Sequence, residues 1–182
     1  AINSGANMNF HRLRHVSERS ELGEGNEGIF AVSIPEEAGS FRKFINILGN
    51  RNITEFNYRY GDDRVAHIFV GIQAAGAPDS ANISAELTAA GLPNTDLTND
   101  EMSKIHIRYM VGGRTHKVAN ERLISFEFPE RPGALGRFLN QMQSDWNITL
   151  FHYRNHGADY GRVLVSVDVP HEDGVAFIEF LN

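Results

Sequence analysis

Asn52-Ile53-Thr54-Glu55-Phe56-Asn57-Tyr58-Arg59 returns later in the chain as Asn147-Ile148-Thr149-Leu150-Phe151-His152-Tyr153-Arg154, changed at two of its eight positions. A match of that length is not chance, so the chain is read first as a duplication. Upstream, Ile34-Pro35-Glu36-Glu37-Ala38-Gly39 returns as Phe128-Pro129-Glu130-Arg131-Pro132-Gly133. Between the two motifs, Phe41, Phe44, Ile45 and Leu48 fall at i, i+3, i+4 and i+7, as do Leu135, Phe138, Leu139 and Met142. Each set makes one apolar helix face. Downstream, glycine-containing turns at Gly61 and Gly157 lead into the β-rich runs 66–72 and 162–167. Each unit reads strand, helix, strand, turn, strand.

In the first unit a second helix is predicted from Ser80 to Ala90 and a short strand around Pro93 to Leu97. The resulting βαββαβ order folds most economically as a four-stranded antiparallel sheet with two helices on one face. The fold class is therefore α+β, two ferredoxin-like βαββαβ subdomains with antiparallel sheets. The second unit offers Leu123 to Phe128 as its first strand and Val175 to Leu181 as part of its second helix, and its closing strand is missing. The expectation is a truncated second unit with one uncovered sheet edge. The boundaries that follow are 29–97 and 123–182 for the subdomains and 98–122 for the linker. Residues 1–28 form a connector from a preceding domain. Met8 to Leu22 reads as a mixed-charge helix or linker, and Thr98 to Gly113 as a short helix and loop.

The composition excludes several classes. The 182 residues carry 17 Lys+Arg against 23 Asp+Glu, a formal net charge of −6. That balance is a poor footprint for a nucleic-acid binder, whose phosphate contacts need clustered cations. No apolar run reaches the roughly 18 residues of a membrane span. Cysteine is absent, which rules out disulfides, zinc thiolates and a cysteine nucleophile. With no signal-peptide pattern, a reducing interior such as the cytoplasm is the default.

Catalytic motifs are lacking. There is no phosphate-binding Walker loop, no GxSxG elbow and no HExxH, and Gly112-Gly113 alone is too weak to count. His152 and His156 have a helical metal-ligand spacing but fall on a strand running into a turn. His11 and His15 lack a carboxylate to complete a set. Lys43, Lys104 and Lys117 have no phosphate cradle for a pyridoxal Schiff base.

The repeated Pro-Glu-x-x-Gly turn is more informative, because it sets a flexible glycine beside the N-terminus of a helix, whose free N–H groups attract a carboxylate. A free amino acid needs such donors, an acidic or carbonyl partner for its ammonium, and an apolar pocket. Glu36 or Glu130 is a candidate for the ammonium, and Phe41, Leu135, Leu139 and Met142 for the pocket. On this reading each copy supplies a pocket of its own. The same proline and glycine also serve as plain loop punctuation. Alternation along the repeated strand sets Thr54, Phe56 and Tyr58 against Ile53, Glu55, Asn57 and Arg59, the aromatic face being core. Arg59 and Arg154, at equivalent places, order a junction or an interface, or serve only solubility.

The segments Ser4–Arg14, Ser17–Gly23, Ile34–Phe41, Thr54–Arg59, Tyr109–Arg114, Ser125–Glu130 and Phe151–Arg154 together resemble the C-terminal regulatory region of biosynthetic threonine dehydratase, a pair of ACT-like subdomains. The resemblance implies that residues 1–28 lead from a catalytic domain. That domain, with pyridoxal phosphate, converts threonine to 2-oxobutanoate and ammonia, opening isoleucine synthesis. It implies isoleucine as inhibitor and valine as its antagonist, a homo-oligomer, and no cofactor or lyase activity in this fragment. Carried over position by position, the effector-responsive residues are Gly39, Phe41 and Arg51 in the first unit and Pro129, Glu130, Leu135, Leu139 and Met142 in the second. Met142 stands where the family often has leucine.

Isoleucine and valine differ by one methylene, worth about 0.8 kcal/mol of burial, so one rigid pocket separates them only several-fold. Opposite regulatory signs need two states or two sites. A ligand-free dimerisation module and an RNA-binding module of the same topology are the alternatives. RNA readers place aromatic residues on the third strand, where residues 162–167 have none and 66–72 only Phe69.

Overall fold

A computed structural model of the chain describes residues 13, 16, 25–100, 118–129, 131, 133–142, 145–155 and 160–181. The first unit runs β1 (Glu27–Pro35), α1 (Ser40–Leu48), β2 (Ile53–Arg59), β3 (Val65–Gln73), α2 (Ala77–Ala89) and β4 (Asn94–Asp96). The second runs β5 (Glu121–Pro129), α3 (Ala134–Gln141), β6 (Asn147–Arg154), β7 (Tyr160–Asp168), a 3-10 turn over His171–Asp173 and α4 (Gly174–Phe180). The duplicated order is the one the repeat predicts. Helix α2 begins three residues ahead of Ser80, because Pro78 occupies its first turn, where a missing N–H costs nothing. Leu13 and Val16 are helical and exposed, and the rest of the expected N-terminal helix, like residues 101–117 of the linker, lies outside the described residues.

Among the described residues the strands form one seven-stranded antiparallel sheet in the order β4-β1-β3-β2-β6-β7-β5. Two separate sheets were expected; the structure fuses them. The fusing strands β2 and β6 are the two copies of the repeated octapeptide, paired so that Phe56 lies opposite Tyr153 and Tyr58 opposite Phe151. The repeat thus binds itself isologously, as two-fold related surfaces do. Pairing also removes from each unit the edge formed by the repeated strand, an edge that would otherwise invite aggregation. At the far side β5 pairs only with β7, and the second unit has no counterpart of β4 among the described residues.

Each copy carries one irregularity. The register shifts between Ile53 and Glu55 in β2 and between Ile148 and Leu150 in β6. The bulge reverses the alternation, so Ile53 and Ile148 join Phe56, Tyr58, Phe151 and Tyr153 on the helix-facing side. Simple alternation had sent Ile53 the other way. The core lies between this sheet face and the helices, with Phe30, Phe44, Val70, Ile83 and Leu87 in the first unit and Trp146, Val165 and Phe177 in the second. The opposite face holds a smaller buried cluster of Ile29, Phe69 and Leu97. No helix among the described residues is long and apolar enough to cross a membrane.

Helices α1 and α3 pack side by side across the seam. Gly136 faces Ile45 there, and a Cβ at its position would stand 3.4 Å from Ile45 Cγ2. Arg59 secures one end of the seam, binding the Glu121 carboxylate and the Thr149 carbonyl, while the Thr149 hydroxyl donates to Glu121 at 2.6 Å. Of the roles open to Arg59, the structure shows the inter-unit one. The Arg59 guanidinium holds the Glu121 carboxyl below the usual carboxylate range.

Candidate functional site

Both Pro-Glu-x-x-Gly turns end on a glycine in the left-handed region, Gly39 at φ 86° and Gly133 at φ 76°, immediately ahead of α1 and α3. Only glycine takes that conformation without strain. Neither helix has a side-chain cap; the Ser40 and Ala134 amides donate back to the Glu37 and Arg131 carbonyls and those of Lys43 and Arg137 to Gly39 and Gly133, which leaves the Phe41 and Arg42 amides of α1 and the Leu135 and Gly136 amides of α3 to solvent or a ligand.

Each turn opens into a cleft at the seam. The Gly39 cleft, about 280 Å³ and open to solvent, is lined by Gly39, Phe41 and Arg42 from the first unit and by Leu139, Met142, Trp146, Asn147 and Ile148 from the second. The Gly133 cleft, about 370 Å³, takes Phe128, Arg131, Gly133, Ala134, Leu135, Gly136 and Tyr153 from the second unit. Its opposite wall is Ile45, Leu48, Gly49, Arg51, Asn52 and Ile53 from the first. The repeat relates the two. Phe41 corresponds to Leu135, Leu48 to Met142, Asn52 to Asn147 and Ile53 to Ile148, and the exceptions are Arg42 against Gly136 and Arg51 against Trp146.

This differs from one self-contained pocket per unit. Because β2 pairs with β6, the start of each helix lies beside the end of the other, and each cleft joins the glycine turn of one copy to the helix end and bulged strand of its partner copy. Gly39, Phe41, Leu139 and Met142 therefore meet in one cleft, Arg51 and Leu135 in the other. Pro129 sits between the lining residues Phe128 and Arg131 without itself lining the cleft, and Glu130 lies outside the described residues.

Glu36 is already engaged. Its Oε2 accepts the Tyr58 hydroxyl and its Oε1 accepts Asn147 Nδ2 at 2.9 Å, tying the first turn to the second unit's strand. Burial pushes the Glu36 carboxyl above the usual range, against the lowering effect of these two bonds. Burial and the Glu36 charge push the Tyr58 hydroxyl upward in turn. With Nδ2 committed to Glu36, Asn147 has its Oδ1 left to accept. Arg51 forms a two-pronged ion pair with Glu86 of α2 at 2.7 and 2.9 Å, and that bond raises its pKa further. Trp146 is 2% exposed and donates from Nε1 to Asp173 at 3.0 Å.

Sequence reasoning missed Arg42, Trp146, the paired asparagines and the bulged isoleucines. The Asn-Ile pair opens both copies of the octapeptide and was legible as a repeat, but not as part of a cleft. Lys43, the one lysine among the described residues, is 73% exposed and paired with Glu37. It has neither the desolvation nor the phosphate cradle that a pyridoxal-binding lysine needs. His152 lies exposed on β6, and His11, His15, His156, Lys104 and Lys117 lie outside the described residues.

The family model for the C-terminal regulatory domain of threonine dehydratase matches residues 18–107 and 112–182. The chain is 58% identical over 181 residues to the L-threonine dehydratase biosynthetic IlvA of Burkholderia multivorans, covering 100% of this chain and 36% of that protein. It is 57% identical over 169 residues to the Escherichia coli enzyme, covering 92% and 33%. It is 47% identical over 190 residues to the mitochondrial threonine dehydratase of Saccharomyces cerevisiae, covering 100% and 33%. The chain thus spans about a third of the length of the curated relatives it matches. With a duplicated α+β fold and two family matches in tandem, the chain belongs to the family of C-terminal regulatory domains of threonine dehydratase.

Proposed function

We propose that this chain is the amino-acid sensor of a biosynthetic threonine dehydratase, binding isoleucine as inhibitor and valine as the opposing effector in the two seam clefts. The observation that carries the reading is that both clefts are shared between units. A ligand seated in either one contacts two bodies, so its binding free energy depends on how they pack. That dependence is what a coupling of about 1 to 3 kcal/mol requires.

In the Gly39 cleft the first-turn amides of α1 receive the ligand's carboxylate, Asn147 Oδ1 accepts from its ammonium, and Phe41, Leu139 and Met142 enclose its branched side chain. Glu36 acts one step back, by orienting Asn147. Arg51 and Leu135 belong to the Gly133 cleft, with Pro129 next to its lining residue Phe128. Two clefts of unlike lining give isoleucine and valine separate preferences that a single methylene, worth about 0.8 kcal/mol, would not.

The conversion of threonine to 2-oxobutanoate and ammonia, and the pyridoxal phosphate it uses, are assigned to a catalytic domain elsewhere in a longer homo-oligomeric enzyme, since Lys43 does not fit that cofactor. An RNA-binding role is disfavoured by the burial of Phe69, the one aromatic residue on β3, and by β7 offering only Tyr160 at its very start.

Trp146, the sole tryptophan of the chain, lies in the Gly39 cleft and serves as a built-in probe. Isoleucine or valine should change its emission saturably, with leucine and threonine as weaker controls. A folded protein showing neither that change nor binding heat with either effector would overturn the reading.

A further inference from the structure

The two clefts derive from one repeat yet carry their cations differently. Arg51 is neutralised by Glu86, with Asp79 at 3.9 Å. Arg42 meets no carboxylate among the described residues. Its Nε and Nη2 donate to the Leu139 carbonyl at 3.1 and 2.9 Å, and Nη2 donates to the Met142 carbonyl at 2.6 Å. These carbonyls close α3, where the helix leaves acceptors unpaired and the dipole favours a cation. Nη1 has no acceptor among the described residues, and the carbonyls offer only partial negative charge. The repeat counterpart of Arg42 is Gly136, so the Gly133 cleft has no cation at that place on its helix, and its arginine besides Arg51 is Arg131 of the turn.

We propose that Arg42 is the carboxylate-recognising residue of the Gly39 cleft, with Nη1 taking the ligand's carboxylate while Nε and Nη2 hold the end of α3. This rests on the effector reading above and deepens it, naming the residue that distinguishes the two clefts. A carboxylate sets a full charge against the guanidinium where a carbonyl sets only a partial one, and arginine's planar fork suits it. Arg42 lies on α1 and grips α3. A carboxylate bound to it is therefore sensed by both units at once.

The test is titration of the 182-residue chain, wild type and Arg42→Gln, with isoleucine and with isoleucinamide, which lacks the carboxylate, read by Trp146 emission and calorimetry. Arg42→Gln should weaken isoleucine at the Trp146-reported site about tenfold, the loss of one charge-assisted contact. Isoleucinamide should bind the wild type and the variant equally weakly. Exposed Arg162→Gln should change nothing. Isoleucine affinity within twofold of wild type in Arg42→Gln, or isoleucinamide binding as tightly as isoleucine, would overturn the role of Arg42 alone. No saturable response in the folded wild type would overturn the effector reading with it. The guanidinium ¹⁵N resonances of Arg42 in the wild type supply a readout that needs no folded variant. They should shift on saturation with isoleucine, and if they stay unmoved the proposal fails.

Discussion

Replacing Gly136 probes the seam with a change of sign. It is the third residue of α3, and the added Cβ of alanine would lie 3.4 Å from Ile45 Cγ2, an ordinary van der Waals contact with the tip of a side chain. Glycine costs about 0.8 to 1.0 kcal/mol relative to alanine in a helix interior and less in a first turn. The new contacts add about 0.1 to 0.2 kcal/mol per atom pair. Gly136→Ala should therefore stabilise the fold by about 0.5 to 1 kcal/mol, or roughly 1 to 4 °C in Tm for a chain of this size. Gly136→Leu places three further carbons where one just fits, and overpacking costs about 1 to 3 kcal/mol. Both changes narrow the Gly133 cleft, so both should weaken any ligand there, including the alanine variant that is the more stable protein. Equilibrium urea unfolding followed by circular dichroism, with effector titrations on the same samples, gives both numbers. Leucine tolerated as well as alanine would mean that α1 and α3 do not touch at this point.

Phe151→Ala removes a ring that is 1% exposed and packs edge-on against Phe56 across β2 and β6 at 5.0 Å. A loss of about 3 to 5 kcal/mol in a single urea transition is expected, and two separate transitions would show the units to be independent. Burial raises the Glu36 carboxyl from its model-compound value of 4.5, so the native state binds the extra proton and stability falls as pH rises through the raised value. Glu36→Gln should flatten that decline in pH-dependent unfolding, and an unchanged slope would remove Glu36 as its source. The contribution of Glu121 runs the other way, present above pH 4.5 and lost as pH falls through its depressed pKa. Glu121→Gln should accordingly reduce the acid sensitivity of the Tm, and no reduction would dismiss the Arg59 pair as a stabilising contact.

The elements were legible because local signals agree with one another: the i, i+3, i+4, i+7 faces of α1 and α3, the αL glycines, and aromatic alternation in the repeated strand. The seam was not legible, because nothing local says that an exposed strand edge will pair with its own duplicate. That one pairing rearranged the site. It split the residues expected to work within each unit between two shared clefts and brought Trp146 opposite Gly39. The bulges at Ile53 and Ile148 were hidden for a related reason, since one extra residue reverses alternation without leaving a composition mark. Arg42 falls outside the i, i+3, i+4, i+7 face of α1, and its partners are backbone carbonyls about a hundred positions away, to which side-chain patterning is blind.

The most direct measurement is a set of nuclear Overhauser contacts from the methyl groups of bound ¹³C-labelled isoleucine. Cross-peaks should run to both units at once, pairing Phe41 with Leu139, Met142 and Trp146, or Leu135 with Ile45 and Ile53. Contacts confined to one unit, or to the open face around Leu164, would contradict ligand capture at the seam.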